Sequence, residues 1–130
     1  MFWKKKSAPC PQRTGKWGET QALHYLTRLG YAIVATNYRK RYGEIDIIAR
    51  EKDVLVFVEV KCRSGQAFGS PLEAVDLRKQ QRICRVAMEY LQTHHGGDGN
   101  ARFDVIAVCP SPGKESAVIE HIENAFDFSL

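Results

Sequence analysis

The stretch LVFVEVKCRSG, residues 55–65, opens as a buried β-strand and closes as something else. Leu55, Val56, Phe57 and Val58 are apolar on both faces, the pattern of a strand covered on each side. Glu59 and Lys61 then follow two apart. Side chains alternate along a strand, so residues two apart stand on one face about 7 Å from each other. Leu55, Phe57, Glu59 and Lys61 therefore share one face, and Val54, Val56, Val58 and Val60 the other. Spacing alone leaves two readings of the charged pair open: a salt bridge at the wet end of a strand, or a catalytic pair.

Working outward, EIDIIARE (44–51) predicts a strand separated from DVLVFVEVK (53–61) by little more than a charged turn around Lys52. YAIVATNYR (31–39) predicts the strand before it, with KRYG (40–43) as the turn. Three strands joined this tightly should form an antiparallel meander. Before them, Thr14 to about Leu29 has helical spacing, with Ala22, Tyr25, Leu26 and Leu29 on one face and Gly30 as the stop. After them, RSGQAFG (63–69) reads as a loop, and SPLE (Ser70–Glu73) as a helix start with Ser as cap and Pro at the first position. That helix runs to about His94, carrying Ile83, Val86, Ala87, Tyr90 and Leu91 at helical spacing, and HHGGDGN (94–100) ends it. ARFDVIAVC (101–109) is a fourth strand, PSPGKES (110–116) a turn, and AVIEHIE (117–123) an edge strand. A long helix between strands three and four is the usual crossover that makes two strands parallel. The expected order is α-β-β-β-α-β-β: an α/β fold with a mixed central sheet flanked by helices. It occupies one domain, residues 13–130, behind a flexible tail, MFWKKKSAPCPQ (1–12).

With 130 residues, 44% hydrophobic and 26% charged, the chain suits one globular core. Its net charge of +4 is small, but the basic residues gather at Lys4–Lys6, at Arg39, Lys40 and Arg41, and at Arg78, Lys79, Arg82 and Arg85. Such clusters are solvated faces or sites for a polyanion. The four cysteines (Cys10, Cys62, Cys84, Cys109) form no C-x-x-C pair and meet no histidine at zinc spacing. Cys84 and Cys109 lie in apolar patterns and read as buried thiols, and a reducing, cytoplasmic compartment is expected. No apolar run approaches membrane-spanning length, so no membrane partner is expected. TGK (14–16) lacks the remainder of a phosphate loop.

Strand two also carries charge where a core strand should not. Ile45, Ile47 and Ala49 are expected on one face, and Glu44, Asp46 and Ile48 on the other. Glu19 precedes Leu26 by nearly two helical turns and so belongs to the inward side of the first helix. Glu19, Asp46 and Glu59 would then point toward one side of a small sheet. Carboxylates buried without partners cost several kcal/mol each, and clustering adds repulsion. A hard divalent cation such as Mg2+ or Mn2+ resolves this, since it takes carboxylate oxygens and bridges them to phosphates. Lys61 would then position an attacking water or steady charge on a phosphate. Glu44 reads as a surface residue beside the turn, Asp104 as a partner for Arg102 or another base, and His94 and His95 as caps of helix carbonyls.

Taken in order, these residues resemble the PD-(D/E)xK nuclease superfamily, whose restriction endonuclease-like core is α-β-β-β-α-β. GEID (43–46) matches its first acidic motif, with Ile45 where the motif's name has Pro, and EVK (59–61) its second. Glu19 matches the helical acid of archaeal Holliday junction resolvases. GKWGE (15–19), NYR (37–39), GEIDIIA (43–49), VFVEVKCRS (56–64), EAVDLRKQQRI (73–83) and RFDVIAV (102–108) are similar to the YraN-like bacterial family. The resemblance implies Asp46 and Glu59 as metal ligands with Glu19 as an auxiliary acid, Lys61 as the catalytic lysine, and Mg2+ or Mn2+ as cofactor. It implies a resolvase-like endonuclease acting on branched, flapped or single-stranded DNA, with DNA favoured over RNA. Two symmetric cuts would call for a homodimer. Arg78, Lys79 and Arg82 near the start of the second helix, with Arg39, Arg41 and Arg63, are the expected phosphate contacts, and Lys79 or Gln80 is expected to come close enough to the site to assist it. Tyr38 and Tyr42 would stack on unpaired bases or simply pack. The alternative is a non-catalytic nucleic-acid-binding or adaptor protein that retains the nuclease fold.

Overall fold

The computed structural model describes residues 14–63, 71–94, 99–111 and 117–128. The expected tail at 1–12, the loop at 64–69, the cap Ser70, residues 95–98 of the helix stop, and the turn around 112–116 lie outside them. Among the described residues no helix is long and apolar enough to cross a membrane.

β3 (Val54–Cys62) is the middle strand of a five-stranded sheet whose spatial order, β1-β2-β3-β4-β5, follows the sequence. β1 (Ala32–Lys40) and β2 (Gly43–Glu51) complete an antiparallel meander with β3, while β4 (Asn100–Pro110) pairs with β3 in parallel. β5 (Ala117–Phe126) closes the other edge, antiparallel to β4. Helix α1 (Thr14–Arg28) covers one face, packing Ala22 and Leu26 on Ile47, Val56, Val58, Ile106 and Val108. Helix α2 (Leu77–His94) covers the other with Ile83, Val86, Ala87 and Tyr90 against Ile48, Leu55, Phe57 and Phe103. This is the restriction endonuclease-like α-β-β-β-α-β core with one further strand, and its apolar double face explains the valine run of β3.

Just past α1, Gly30 adopts φ 97°, turning the chain so that Tyr31 N–H reaches Leu26 O, while the Gly30 N–H bonds Thr27 O. Leu29, expected on the apolar face, is 53% exposed because the helix has already ended at Arg28. Near its other end α1 passes so close to β3 that a Cβ on Gly18 would run into the Cys62 sulfur.

α2 starts later than SPLE suggests. Pro71–Ala74 forms a 3-10 turn closed by Val75 N–H to Leu72 O, and Asp76 caps α2 by accepting the Lys79 N–H at 2.9 Å. Burial of Val75 beneath the turn anchors the chain there, so the cap falls to the next acceptor. Of the two expected buried cysteines, Cys84 is buried and Cys109 half-buried.

β1 and β2 break their alternation together between the Thr36–Ile47 and Tyr38–Ile45 pairs. Tyr38 and Ile45 are partners on the α2 face, yet Thr36 and Ile47, two residues away along each strand, are partners too, and Ile47 faces α1. Both strands therefore switch faces between these pairs, at Asn37 and Asp46. Asn37 adopts φ 49°, a left-handed conformation that asparagine tolerates better than most residues. The expectation that Ile45 shares a face with Ile47 and Ala49 fails for this reason. β2 also parts from β3 here: their pairing stops at Ile47 and Val58.

Candidate metal centre

Where β2 leaves β3, the Val60 N–H would lose its ladder partner. Asp46 replaces it: Oδ2 accepts that N–H at 2.8 Å, which fixes the carboxyl between the two strands. Across the kinked rung, the Asn37 amide donates to Glu19 Oε2 at 2.8 Å and to Glu44 Oε2 at 3.0 Å. Arg39 grips the other oxygen of Glu44 through Nε (3.2 Å) and Nη2 (3.0 Å). Glu19, Glu44 and Asp46 thus bring carboxylate oxygens within 4.8 Å of one another, each half-buried. Glu44 belongs to this cluster and is not a detached surface residue, because the kink turns it toward α1 and Asn37 ties it to Glu19.

Burial, then the charge of Glu59, push the Asp46 carboxyl up to about 8, although the Val60 N–H works the other way. Glu19 and Glu44 add smaller upward pushes. An all-oxygen set of crowded acids, one of them held from ionising by its surroundings, fits a hard divalent cation.

Glu59 lies outside that cluster, on the α2 face of β3, and is 6% exposed. Its Oε2 is shared by two ammonium groups: Lys79 Nζ at 2.9 Å and Lys61 Nζ at 3.7 Å. The late start of α2 is what brings Lys79 here, in the first turn above the strand. Burial and the neighbouring Lys79 lower the Lys61 ammonium from its ordinary value. Lys79 is raised, because contacts with Lys61 and Glu59 outweigh its own burial. Gln80 turns away and donates to Val75 O at 2.9 Å.

The expected phosphate contacts divide. Arg78, Arg82 and Arg85 are exposed along α2, with Arg41 exposed in the β1–β2 turn. The Arg82 backbone and Cβ pack against Gly43 at the start of β2, next to that turn. Arg39, 72% exposed, is engaged with Glu44, whereas Arg63 is 14% exposed and faces Glu120 on β5 at 3.9 Å. Tyr38 packs edge-on against Tyr90 with ring centroids 5.1 Å apart. Tyr42 donates to Glu89 beneath the Arg85 guanidinium. Asp104 bonds to Arg102, as its sequence neighbourhood suggested, at 2.9 Å, and His94 Nδ1 lies 3.2 Å from Tyr90 O.

The chain thus has a restriction endonuclease-like fold carrying a carboxylate cluster at the parting of β2 and β3, with lysines beside it. Residues 18–108 match the model of the family described as uncharacterised protein family UPF0102, and the chain belongs to that family of YraN-like proteins. It is 50% identical over 117 residues to a UPF0102 protein of Syntrophus aciditrophicus, covering 90% of this chain and 91% of that one. A UPF0102 protein of Alkaliphilus oremlandii is 51% identical over 117 residues (88% and 98% coverage), and one of Rhodococcus jostii 48% identical over 112 (86% and 94%).

Proposed function

We propose that this protein is a metal-dependent endonuclease that hydrolyses phosphodiester bonds in DNA of branched, flapped or single-stranded shape. The observation that supports it is the gathering of Glu19, Glu44 and Asp46 one rung from a Glu59 carboxylate flanked by Lys61 and Lys79. A bound Mg2+ or Mn2+ would polarise a phosphate and make its bound water a better nucleophile. The chain's own residues do the remainder. Glu19, Glu44 and Asp46 hold the cation, with the Val60 N–H setting the orientation of Asp46 and Asn37 that of the two glutamates. Glu59 completes the acidic set from the other face. Lys61, whose lowered pKa leaves more of it neutral, takes a proton from the attacking water or holds a phosphate oxygen. Arg78, Arg82 and Arg41 bind the sugar–phosphate backbone without reading bases. DNA is favoured over RNA by resemblance to the superfamily.

The test is cleavage of linear, flapped, single-stranded and four-way DNA with Mn2+ or Mg2+. Activity is expected on at least one branched or single-stranded form, lost in EDTA and in Asp46→Ala, Glu59→Ala and Lys61→Ala. Cleavage that persists in all three variants, or none by the wild type on any substrate, would falsify this reading and leave a non-catalytic nucleic-acid adaptor.

A further inference from the structure

Two lysine side chains converge on one oxygen of a single carboxylate, Glu59. Lys79 is the nearer at 2.9 Å and Lys61 the farther at 3.7 Å, and both address Oε2. Resting on the metal reading above, we propose that Lys79 is a stand-in cation: its ammonium occupies the Glu59 oxygen until a divalent ion is bound, and metal uptake displaces it. Lys79 is therefore a positioning residue whose effect on the metal runs through Glu59.

The chemistry of the shared atom carries this. Mg2+ sits about 2.0–2.1 Å from a carboxylate oxygen, so with the ammonium still in place two positive charges would face each other across one atom. A buried carboxylate needs a partner when no metal is present, and Lys79 supplies it. Of the two lysines, Lys79 is the one built to leave. It springs from the solvent-flanked first turn of α2, next to exposed Arg78, and its side chain is 36% exposed. Lys61 is 27% exposed and stands on the sheet's central strand. The backbone of Lys79 is pinned by the Asp76 cap, so its flexible stem can swing without disturbing the helix.

The consequence has an unusual sign: deleting a residue of the centre should tighten metal binding. Mn2+ binding to the full chain is measured by calorimetry and by electron paramagnetic resonance for wild type, Lys79→Met, Lys79→Gln, Glu59→Gln and Glu59→Gln/Lys79→Met. Both single Lys79 variants are expected to bind Mn2+ about tenfold more tightly than wild type, as when one half-buried ion pair no longer competes. In the Glu59→Gln background the Lys79 change is expected to have no effect, because the competition has lost its object. Mn2+ binding that is unchanged or weaker in both Lys79 variants overturns the inference while leaving the metal reading intact, as does a gain that survives in the Glu59→Gln background. If wild type takes up no Mn2+, the metal reading falls and the inference with it.

Discussion

Asp46 occupies the rung where β2 separates from β3, and its carboxyl is held well above the ordinary aspartate range, at about 8. Without metal the native state therefore keeps a proton that the unfolded chain releases near pH 4. Between those values the native state binds more protons, so stability falls as pH rises from about 4 to about 8. Asp46→Asn keeps an oxygen for the Val60 N–H but removes the charge. In EDTA it should stabilise the protein by about 1–2 kcal/mol at pH 8, the scale at which relieving a strained functional site usually acts, and by nearly nothing at pH 4. Thermal unfolding at the two pH values checks this, and an equal shift at both would show that burial does not strain this carboxyl. Asp46 and Glu59 were legible in the sequence because each interrupts an apolar strand. Glu44 was harder to place, since strict alternation put it on the other face, whereas Lys79 was already expected near the site and meets Glu59 at 2.9 Å. The signal for the kink was Asn37, a residue poorly suited to a regular strand but tolerant of left-handed backbone, inside YAIVATNYR.

At the level of elements, β5 repeats on the opposite edge what β1 does beside the candidate site. Asn124, with φ 52°, lies within the β4–β5 register shift, and a carboxylate fills the gap: Asp104 Oδ1 accepts the Asn124 N–H at 3.0 Å. Asp104 is fully buried and also takes Arg102 (2.9 and 3.2 Å) and His121 Nε2 (2.7 Å). Arg102 goes on to Glu51 and to the Tyr31 hydroxyl, and Tyr25 meets the far nitrogen of His121, so β2, β4, β5 and α1 are joined around one charge. Burial alone would raise the Asp104 carboxyl; the bonds from His121, Arg102 and Asn124 outweigh it and hold it below the ordinary range. A depressed folded pKa contributes stability that is complete above the unfolded value and lost as pH falls through the folded one. Asp104→Ala should cost about 3–5 kcal/mol at pH 7, because it leaves Arg102 half-enclosed without its main partner. Urea unfolding at pH 7 and below pH 4 tests the sign: the gap between variant and wild type should narrow in acid. The partnership of Asp104 with Arg102 was readable from their spacing in one strand. The reach to His121 and Asn124 was not, since it depends on a register shift that no local pattern announces.

For the molecule as a whole, the order of elements could be read from hydrophobic period and turn residues, and so could the parallel pairing of β3 with β4, which a long intervening helix requires. What could not be read is which basic residues share a surface. Arg63 follows Lys61 by two residues, yet it turns toward β5, while Arg82 packs against Gly43 beside the β1–β2 turn that carries exposed Arg41. If nucleic acid lies along this surface, Arg41, Arg78 and Arg82 each neutralise one phosphate, and their loss should appear in the salt dependence of binding more clearly than in affinity at one salt concentration. Each lost contact lowers the slope of log K against log salt by about 0.9 on duplex arms and about 0.7 on single strands. The triple alanine variant should therefore lose roughly 2–3 units of slope, equally for unrelated sequences of one shape. Fluorescence anisotropy over a KCl series, in EDTA to prevent cleavage, measures it. Replacing Arg63 alone should leave the slope unchanged, because its guanidinium is largely enclosed and directed at Glu120. A slope that fell with Arg63 and not with the triple variant would move the binding surface from the α2 side of the sheet to the β5 edge.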